Sequence, residues 1–114
     1  MADGEPGNTL YQRDLSVSYE RLGAMADEAG EPAVAGEWFT KASIRRRVLT
    51  AQEPQRIDLA EELAYCLRRI ADVAPEQLDE RAREVIDLLR PFEDAGAITA
   101  RASAILRWAR QERP

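Results

Sequence analysis

The stretch SYERLGAMADEAGEPAVAGEWFTKA, residues 18–42, contains the pattern that decides the fold. Its apolar residues recur every three or four positions, which is the period of one face of an α-helix. Gly30 and Pro32 divide the stretch, because glycine commonly follows the end of a helix and proline commonly opens one. The stretch therefore predicts two consecutive helices joined by a tight turn, which we expect to pack antiparallel.

The two helices carry small and bulky residues at the positions predicted to face each other. The small ones are predicted to form a seam where the helices approach closely: Gly23, Ala35 and Ala42. The bulky ones are predicted to fill the gaps between the helices: Tyr19, Leu22 and Phe39.

In this order and spacing, the six residues together with Ala26 resemble the motif of the tetratricopeptide repeat (TPR) family, in its extended bacterial tandem-repeat type. Ala26 is smaller than the motif prefers, and the closing proline is displaced from position 47 to Pro54. The resemblance covers residues 8–54. It implies an all-α fold of antiparallel helical hairpins stacked as a short right-handed superhelix.

A fainter second unit follows the first. The segment QRIDL at 55–59 echoes YQRDL at 11–15, and Leu67 stands where the first unit has Gly23. Because leucine is bulky, the third and fourth helices are expected to pack farther apart or at another angle than the first two. With a terminal helix the chain is predicted to have about five helices: a flexible segment 1–8, a TPR-like hairpin 9–53, a degenerate hairpin 54–96 and a capping helix 97–114.

Local signals predict where several of these helices begin and end. Asn8 or Thr9 can cap the first helix, and Thr99 can cap the fifth. Pro75 is predicted to open the fourth helix. Pro91 is expected to kink or stop its last turn, because proline lacks the N–H that a helix interior requires.

The composition excludes several kinds of site. A net charge of −5 argues against binding of duplex nucleic acid, and there is no histidine for catalysis or metal binding. Cys66 is the only cysteine, so no intrachain disulfide forms, and its place on an apolar face predicts core packing. We expect no cofactor. No apolar run is long enough to span a membrane, and the start MADGEPGN has no signal-peptide pattern, so a cytoplasmic location is predicted.

The resemblance to TPR proteins implies a concave groove lined by residues beside the core stripe of the first helix of each unit. In this chain the matching positions are Val17, Glu20, Ala24, Asp27, Glu61, Ala64, Arg68 and Asp72. Acids outnumber bases among them, which predicts a basic or mixed-charge amphipathic segment of another protein as the partner.

Two charged runs are interpreted without assigning them a site. Arg45, Arg46 and Arg47 point in different directions around a helix, about 100° apart, and are predicted to be a solvated helix end. The pair Arg68-Arg69 is given the same interpretation. Glu61 and Glu62 also diverge and have no evident nucleophile or metal beside them, so catalysis is disfavoured.

The sequence therefore favours a non-enzymatic protein-interaction or scaffold module that binds a partner peptide or helix in its groove. The alternative is a small-molecule-binding or sequestering protein with a pocket between helices. Barely two repeats are present where about three usually bury a continuous core. The exposed face of the first hairpin is expected to pair with a second copy as a homodimer; alternatively, the chain is a natural stand-alone form or a piece of a longer array whose neighbours are missing. Trp38 and Trp108 are predicted to be core residues or partner anchors.

Overall fold

The computed structural model describes residues 8–111, which form five α-helices and one short 3₁₀ turn, with no strand in that range. The helices are α1 (Thr9–Glu28), α2 (Pro32–Gln52), α3 (Ile57–Val73), α4 (Leu78–Asp94) and α5 (Ala100–Ala109). The prediction of an all-α fold is confirmed. The predicted flexible segment lies outside the described residues except for Asn8, and so do the last three residues of the predicted capping region.

Most helix ends follow the local signals. The Asn8 side chain accepts a hydrogen bond from the Tyr11 N–H at 2.7 Å, and Thr99 accepts one from the Ala102 N–H at 3.0 Å. These bonds satisfy backbone donors that the first turn of a helix leaves unpaired. Gly30 and Gly96 follow α1 and α4 with φ of +76° and +69°, a conformation that glycine adopts without strain.

Two proline predictions need correction. Pro75 opens the 3₁₀ turn Pro75–Gln77, and α4 begins only at Leu78. Pro91 does not stop α4, which continues to Asp94, and the Pro91 carbonyl still accepts the Ala95 N–H at 3.1 Å. Proline cannot donate to the carbonyl four residues earlier, but its own carbonyl can still accept a hydrogen bond, so the helix can continue past it to Asp94.

Neighbouring helices run antiparallel and alternate between two layers. The start of α1 meets the end of α2 through Thr9 and Glu53, at 3.3 Å. The odd-numbered helices lie side by side, because α1 reaches α3 through Arg13 and Glu62, and α3 reaches α5 through Glu61 and Thr99. The even-numbered helices α2 and α4 form the other layer.

Apolar side chains between the two layers form the core. Phe39, Ala35 and Ala42 of α2 are fully buried, and so are Leu67 of α3 and Leu89 of α4. The predicted seam residue Gly23 is buried as well. A Cβ atom placed on Gly23 would lie 2.6 Å from Cε1 of Phe39, so the backbone of α1 comes as close to that ring as a glycine permits.

The buried face of α1 differs from the predicted one. Its buried residues are Gln12, Ser16, Gly23 and Ala26, whereas Leu22 is 38% exposed and Tyr19 is half-buried. Leu22 lies about 100° round the helix from Gly23. The close approach at Gly23 therefore turns Leu22 away from the seam, and the expectation that Leu22 fills the gap between the helices is wrong.

Candidate partner-binding cleft between α1 and α3

A cleft of about 420 Å³ lies between the C-terminal halves of α1 and α3. Three residues of the predicted groove line it, namely Asp27, Arg68 and Asp72. Tyr65 and Arg69 line it too, together with Val73. The structure therefore brings part of the predicted groove together at one place.

The remaining residues of the predicted groove lie outside the cleft, are buried or are paired with other side chains. Val17 is 38% exposed and Ala24 is half-buried, and neither lines the cleft. Ala64 is fully buried, so its assignment to the groove surface is wrong. Glu20 forms an ion pair with an arginine of α2. Glu61 accepts a hydrogen bond from the Thr99 hydroxyl at 2.6 Å and forms an ion pair with Arg101 at 3.5 Å.

An ion-pair network joins α1, α2 and α3 next to this cleft. Arg46 donates two hydrogen bonds to the Glu20 carboxylate, both at 2.8 Å, and one to Glu62 at 2.9 Å. Glu62 also accepts a hydrogen bond from Arg13, which lies 3.9 Å from Asp58. Two facing carboxylates thus share one guanidinium between three helices, an arrangement that fixes their spacing.

The solvated interpretation of the arginine run is therefore wrong for two of its members. Arg46 is only 4% exposed, and although burial opposes its charge, the bonds to Glu20 and the nearby carboxylates raise its pKa overall. Arg47 binds the Glu84 carboxylate through two nitrogens, at 2.7 and 3.0 Å, and this hydrogen bonding raises its pKa. Arg45 is half-buried and donates a long hydrogen bond of 3.4 Å to Gln12. The three arginine side chains diverge as predicted, but they contact other side chains of the protein instead of extending into solvent.

The arginines of the cleft are held differently. Arg68 lies over the Trp108 ring at 5.4 Å, and Arg69 lies over Phe39 at 4.6 Å and Tyr65 at 5.8 Å. Within residues 8–111 no carboxylate comes within 4.0 Å of either guanidinium. Both side chains are half-buried, so the prediction that they are a solvated helix end is also wrong. Stacking on aromatic rings leaves the N–H donors at the edge of each guanidinium available to a ligand.

The electrostatics of the cleft are mixed. Asp27 and Asp72 stand in the last turns of α1 and α3, where the helix dipoles add partial negative charge. Arg68 and Arg69 lie one turn earlier on α3. A ligand in the cleft would therefore meet two cationic groups beside two anionic ones.

Tyr65 and Arg69 were missed by sequence reasoning, although a signal for them exists. Tyr65, Arg68, Arg69 and Asp72 follow the spacing i, i+3, i+4, i+7, which places them on one face of α3. The predicted groove instead included Ala64, one position earlier than Tyr65. That shift of about 100° carries a residue from the exposed face of α3 into the core.

Cys66 belongs to the core, as predicted. It is fully buried, and its thiol donates a hydrogen bond to the Phe39 carbonyl at 3.3 Å. Burial raises the pKa of this thiol well above its ordinary value, so the reactive thiolate is not formed near neutral pH.

Other cavities are present in the described chain, and two of them adjoin α2. The larger, about 680 Å³, lies between the N-terminal half of α2 and the link from α3 to α4, and Gly36, Lys41, Val73 and Glu76 are among its lining residues. A smaller one, about 360 Å³, lies between the end of α2 and α4. Among the described residues there is no cluster of acidic and cysteine side chains that could hold a metal ion, and no helix is long and apolar enough to cross a membrane.

Comparisons of the chain with protein-family models, with curated proteins and with solved structures give no match. The function is therefore inferred from the geometry of the cleft and of the surfaces around it.

Proposed function

We propose that this chain is a non-enzymatic TPR-like interaction module that binds a mixed-charge peptide or helix of a partner protein in the cleft between α1 and α3. The observation that carries the proposal is the environment of the Arg68 and Arg69 guanidinium groups. Seven other arginines of the described chain form ion pairs, at positions 13, 46, 47, 56, 81, 101 and 110. These two instead lie half-buried on aromatic rings, with no carboxylate of residues 8–111 within 4.0 Å.

The chemistry of the cleft defines the ligand. Arg68 and Arg69 present N–H donors that suit a carboxylate, and Asp27 and Asp72 suit a lysine or arginine. Tyr65 is 37% exposed and offers part of its ring, over which Arg69 and Arg101 also lie. A peptide segment that carries an acid and a base about one helical turn apart, with an apolar residue between, would complement the arginines, the aspartates and the tyrosine ring.

The two-layer arrangement supports a TPR-like scaffold. Odd-numbered helices lie together in one layer, and the cleft opens between two of them, α1 and α3. This is where the TPR resemblance implies a groove. The lining side chains Asp27, Tyr65 and Asp72 are exposed, which suits an extended partner better than an enclosed small molecule.

One observation favours the alternative of a small-molecule site. The cavity beside α2 has a volume of about 680 Å³, within the range typical of ligand pockets. No tryptophan or tyrosine lines it, and Pro32, Glu37 and Glu76 at its wall are exposed. We therefore rank peptide binding first. A thermal-shift screen with Gly36→Leu as the blocked variant would test the alternative.

The experiment for the main proposal is a selection from a library of random 12-residue peptides displayed on phage. Enriched peptides are then measured by fluorescence anisotropy against the unchanged chain and two double variants. Arg68→Gln with Arg69→Gln removes the two positive charges of the cleft and leaves Asp27 and Asp72 in place. Arg83→Gln with Arg90→Gln removes the same charge from exposed positions of α4 and is the matched control.

We expect enriched peptides to contain an acid and a base and to bind at least ten-fold more weakly to the cleft variant, with less than a two-fold change for the control. Equal weakening by both variants would mean nonspecific attraction to positive charge and would contradict the proposal. So would a library that yields no enriched peptide, or peptides whose affinity is unchanged in the cleft variant.

A further inference from the structure

The first hairpin exposes an unusual amount of apolar surface. Nine large hydrophobic residues of the described chain are exposed, and eight of them belong to α1 or α2. Five share one side of the hairpin, which we call the outer face: Tyr11, Leu22, Met25, Val34 and Val48. Several exposed apolar side chains on one side of a hairpin commonly mark an interaction site.

The outer face points away from the rest of the protein. Leu22 lies about 160° round α1 from Glu20, which reaches the network between α1, α2 and α3. Val34 lies about 160° round α2 from Gly36, where an added Cβ would be 3.7 Å from Val73 of α3. Val48 shares the side of Val34, because fourteen residues separate them, close to four turns. The cleft and the outer face are therefore on different sides of the hairpin.

Aromatic rings lie between the two helices beside this face. Tyr19 and Trp38 stack across the hairpin with ring centroids 5.8 Å apart and planes inclined by 28°. Lys41 lies over the Trp38 ring at 5.3 Å. Both rings are half-buried, and aromatic side chains are enriched at the centre of protein interfaces.

The size of the outer face suits a dimer. Helices of 20 and 21 residues are about 30 Å long, and two helices packed about 10 Å apart present a face about 20 Å wide. One copy would then bury about 600 Å² and two copies about 1,200 Å², which is above the roughly 1,000 Å² expected of a specific interface.

We propose that the outer faces of two copies of this chain pack together around a two-fold axis parallel to the helices, so that α1 of one copy lies on α2 of the other. A two-fold interface requires a surface complementary to itself. The outer face meets this requirement because both of its helices contribute apolar residues to it. The inference does not depend on the peptide-binding cleft.

Charged side chains at the edge of the outer face, which we call the rim, are compatible with the same two-fold arrangement. Within one copy, Tyr19 stands level with Trp38, and Gly23 stands level with Phe39. A two-fold axis parallel to the helices preserves these levels, so Arg21 of one copy comes level with Glu37 of the second copy. Both side chains are exposed, and within residues 8–111 neither forms an ion pair.

The first test is the mass of the intact chain in solution, by light scattering after size exclusion and by sedimentation velocity from 5 to 200 μM. We expect a concentration-dependent species of about twice the 12.8 kDa of the chain. Leu22→Lys should raise the dimer dissociation constant at least ten-fold. Leu10→Lys is the matched control, because Leu10 is on the same helix, is 69% exposed and lies about 120° from Leu22, off the outer face. It should change the constant less than two-fold.

The second test is a charge exchange at the rim. Arg21→Glu and Glu37→Arg should each weaken the dimer several-fold, and the double variant should restore it. Circular dichroism should show unchanged helix content in all variants, since the changed side chains are exposed. A monomer at 200 μM overturns the proposal, and so does equal weakening by Leu22→Lys and Leu10→Lys. Assembly into species larger than a dimer, or a double variant that does not restore the dimer, overturns the two-fold arrangement.

Discussion

The α1–α2 hairpin and the three helices that follow it distribute polar and apolar side chains in opposite ways. From α3 to α5 the buried side chains are apolar, and Tyr65 is the one large hydrophobic residue that is exposed. In the first hairpin eight large hydrophobic residues are exposed, and all four buried polar residues of the described chain lie there: Gln12, Ser16, Ser43 and Arg46. The later helices are thus stabilised mainly by apolar burial, whereas the first hairpin also depends on directional contacts.

The small residues of the seam explain this difference. Where the Phe39 ring lies against Gly23, it leaves no room for a further large side chain from α1. The buried hydroxyls satisfy themselves locally, with Ser16 donating to the Gln12 carbonyl at 2.8 Å and Ser43 to that of Thr40 at 2.7 Å. Eight of the larger apolar residues of α1 and α2 are left exposed, and five of these form the outer face.

The largest expected effect tests the polar interior of the first hairpin. Arg46→Ala would leave Glu20 and Glu62 facing each other without their shared guanidinium, and we expect the free energy of unfolding to fall by about 3 kcal/mol. Urea denaturation monitored by circular dichroism measures this. Arg83→Ala, at an exposed position without an ion pair, should change stability by less than about 0.5 kcal/mol. If the two variants cost the same, the network does not stabilise the hairpin.

A smaller effect tests the seam. Gly23→Ala places a methyl group 2.6 Å from the buried Phe39 ring, and we expect a loss of about 1–3 kcal/mol from overpacking. Gly36→Ala is the matched control, because its new methyl group would meet only Val73, at 3.7 Å. There the higher helix propensity of alanine should stabilise the protein by about 0.5–1 kcal/mol. Effects of the same sign at both glycines would contradict the close approach at Gly23.

The smallest effect concerns the contact between the two regions at Cys66. The folded thiol has a raised pKa, whereas the unfolded chain releases the proton above its ordinary value of 9.0. Stability from this group is therefore complete below pH 9 and falls as the pH rises further, by up to about 1.4 kcal/mol per pH unit. Urea denaturation from pH 8 to 10 should show a steeper decline for the unchanged chain than for Cys66→Ala. Parallel declines would mean that the thiol is not desolvated.

Most of the secondary structure could be predicted from residue types alone. The caps at Asn8 and Thr99 and the glycines at Gly30 and Gly96 act over three or four residues, so their chemistry is contained in the local sequence. Pro91 is the exception: it removes only its own N–H donor, while its carbonyl still accepts a hydrogen bond from Ala95, so α4 continues to Asp94.

The candidate site was predicted only in part. Asp27, Arg68 and Asp72 do line the cleft, but Tyr65 was missed and Ala64 was included. An error of one position on a helix turns a side chain by about 100°, which separates a cleft from a core. The first hairpin has apolar residues on several sides, so the pattern did not identify which side is buried.

The sequence by itself determined an all-α chain, the ends of most helices and the seam of small residues, because these follow from local backbone preferences and from side-chain size. Only the tertiary structure decided that Leu22 faces outward and that Arg46 is buried between two carboxylates. It also decided that Arg68 and Arg69 lie on aromatic rings without an acidic partner among the described residues. These outcomes depend on which residues distant in the sequence come within a few ångströms of each other. That proximity is set by how the helices pack, and no single helix encodes it.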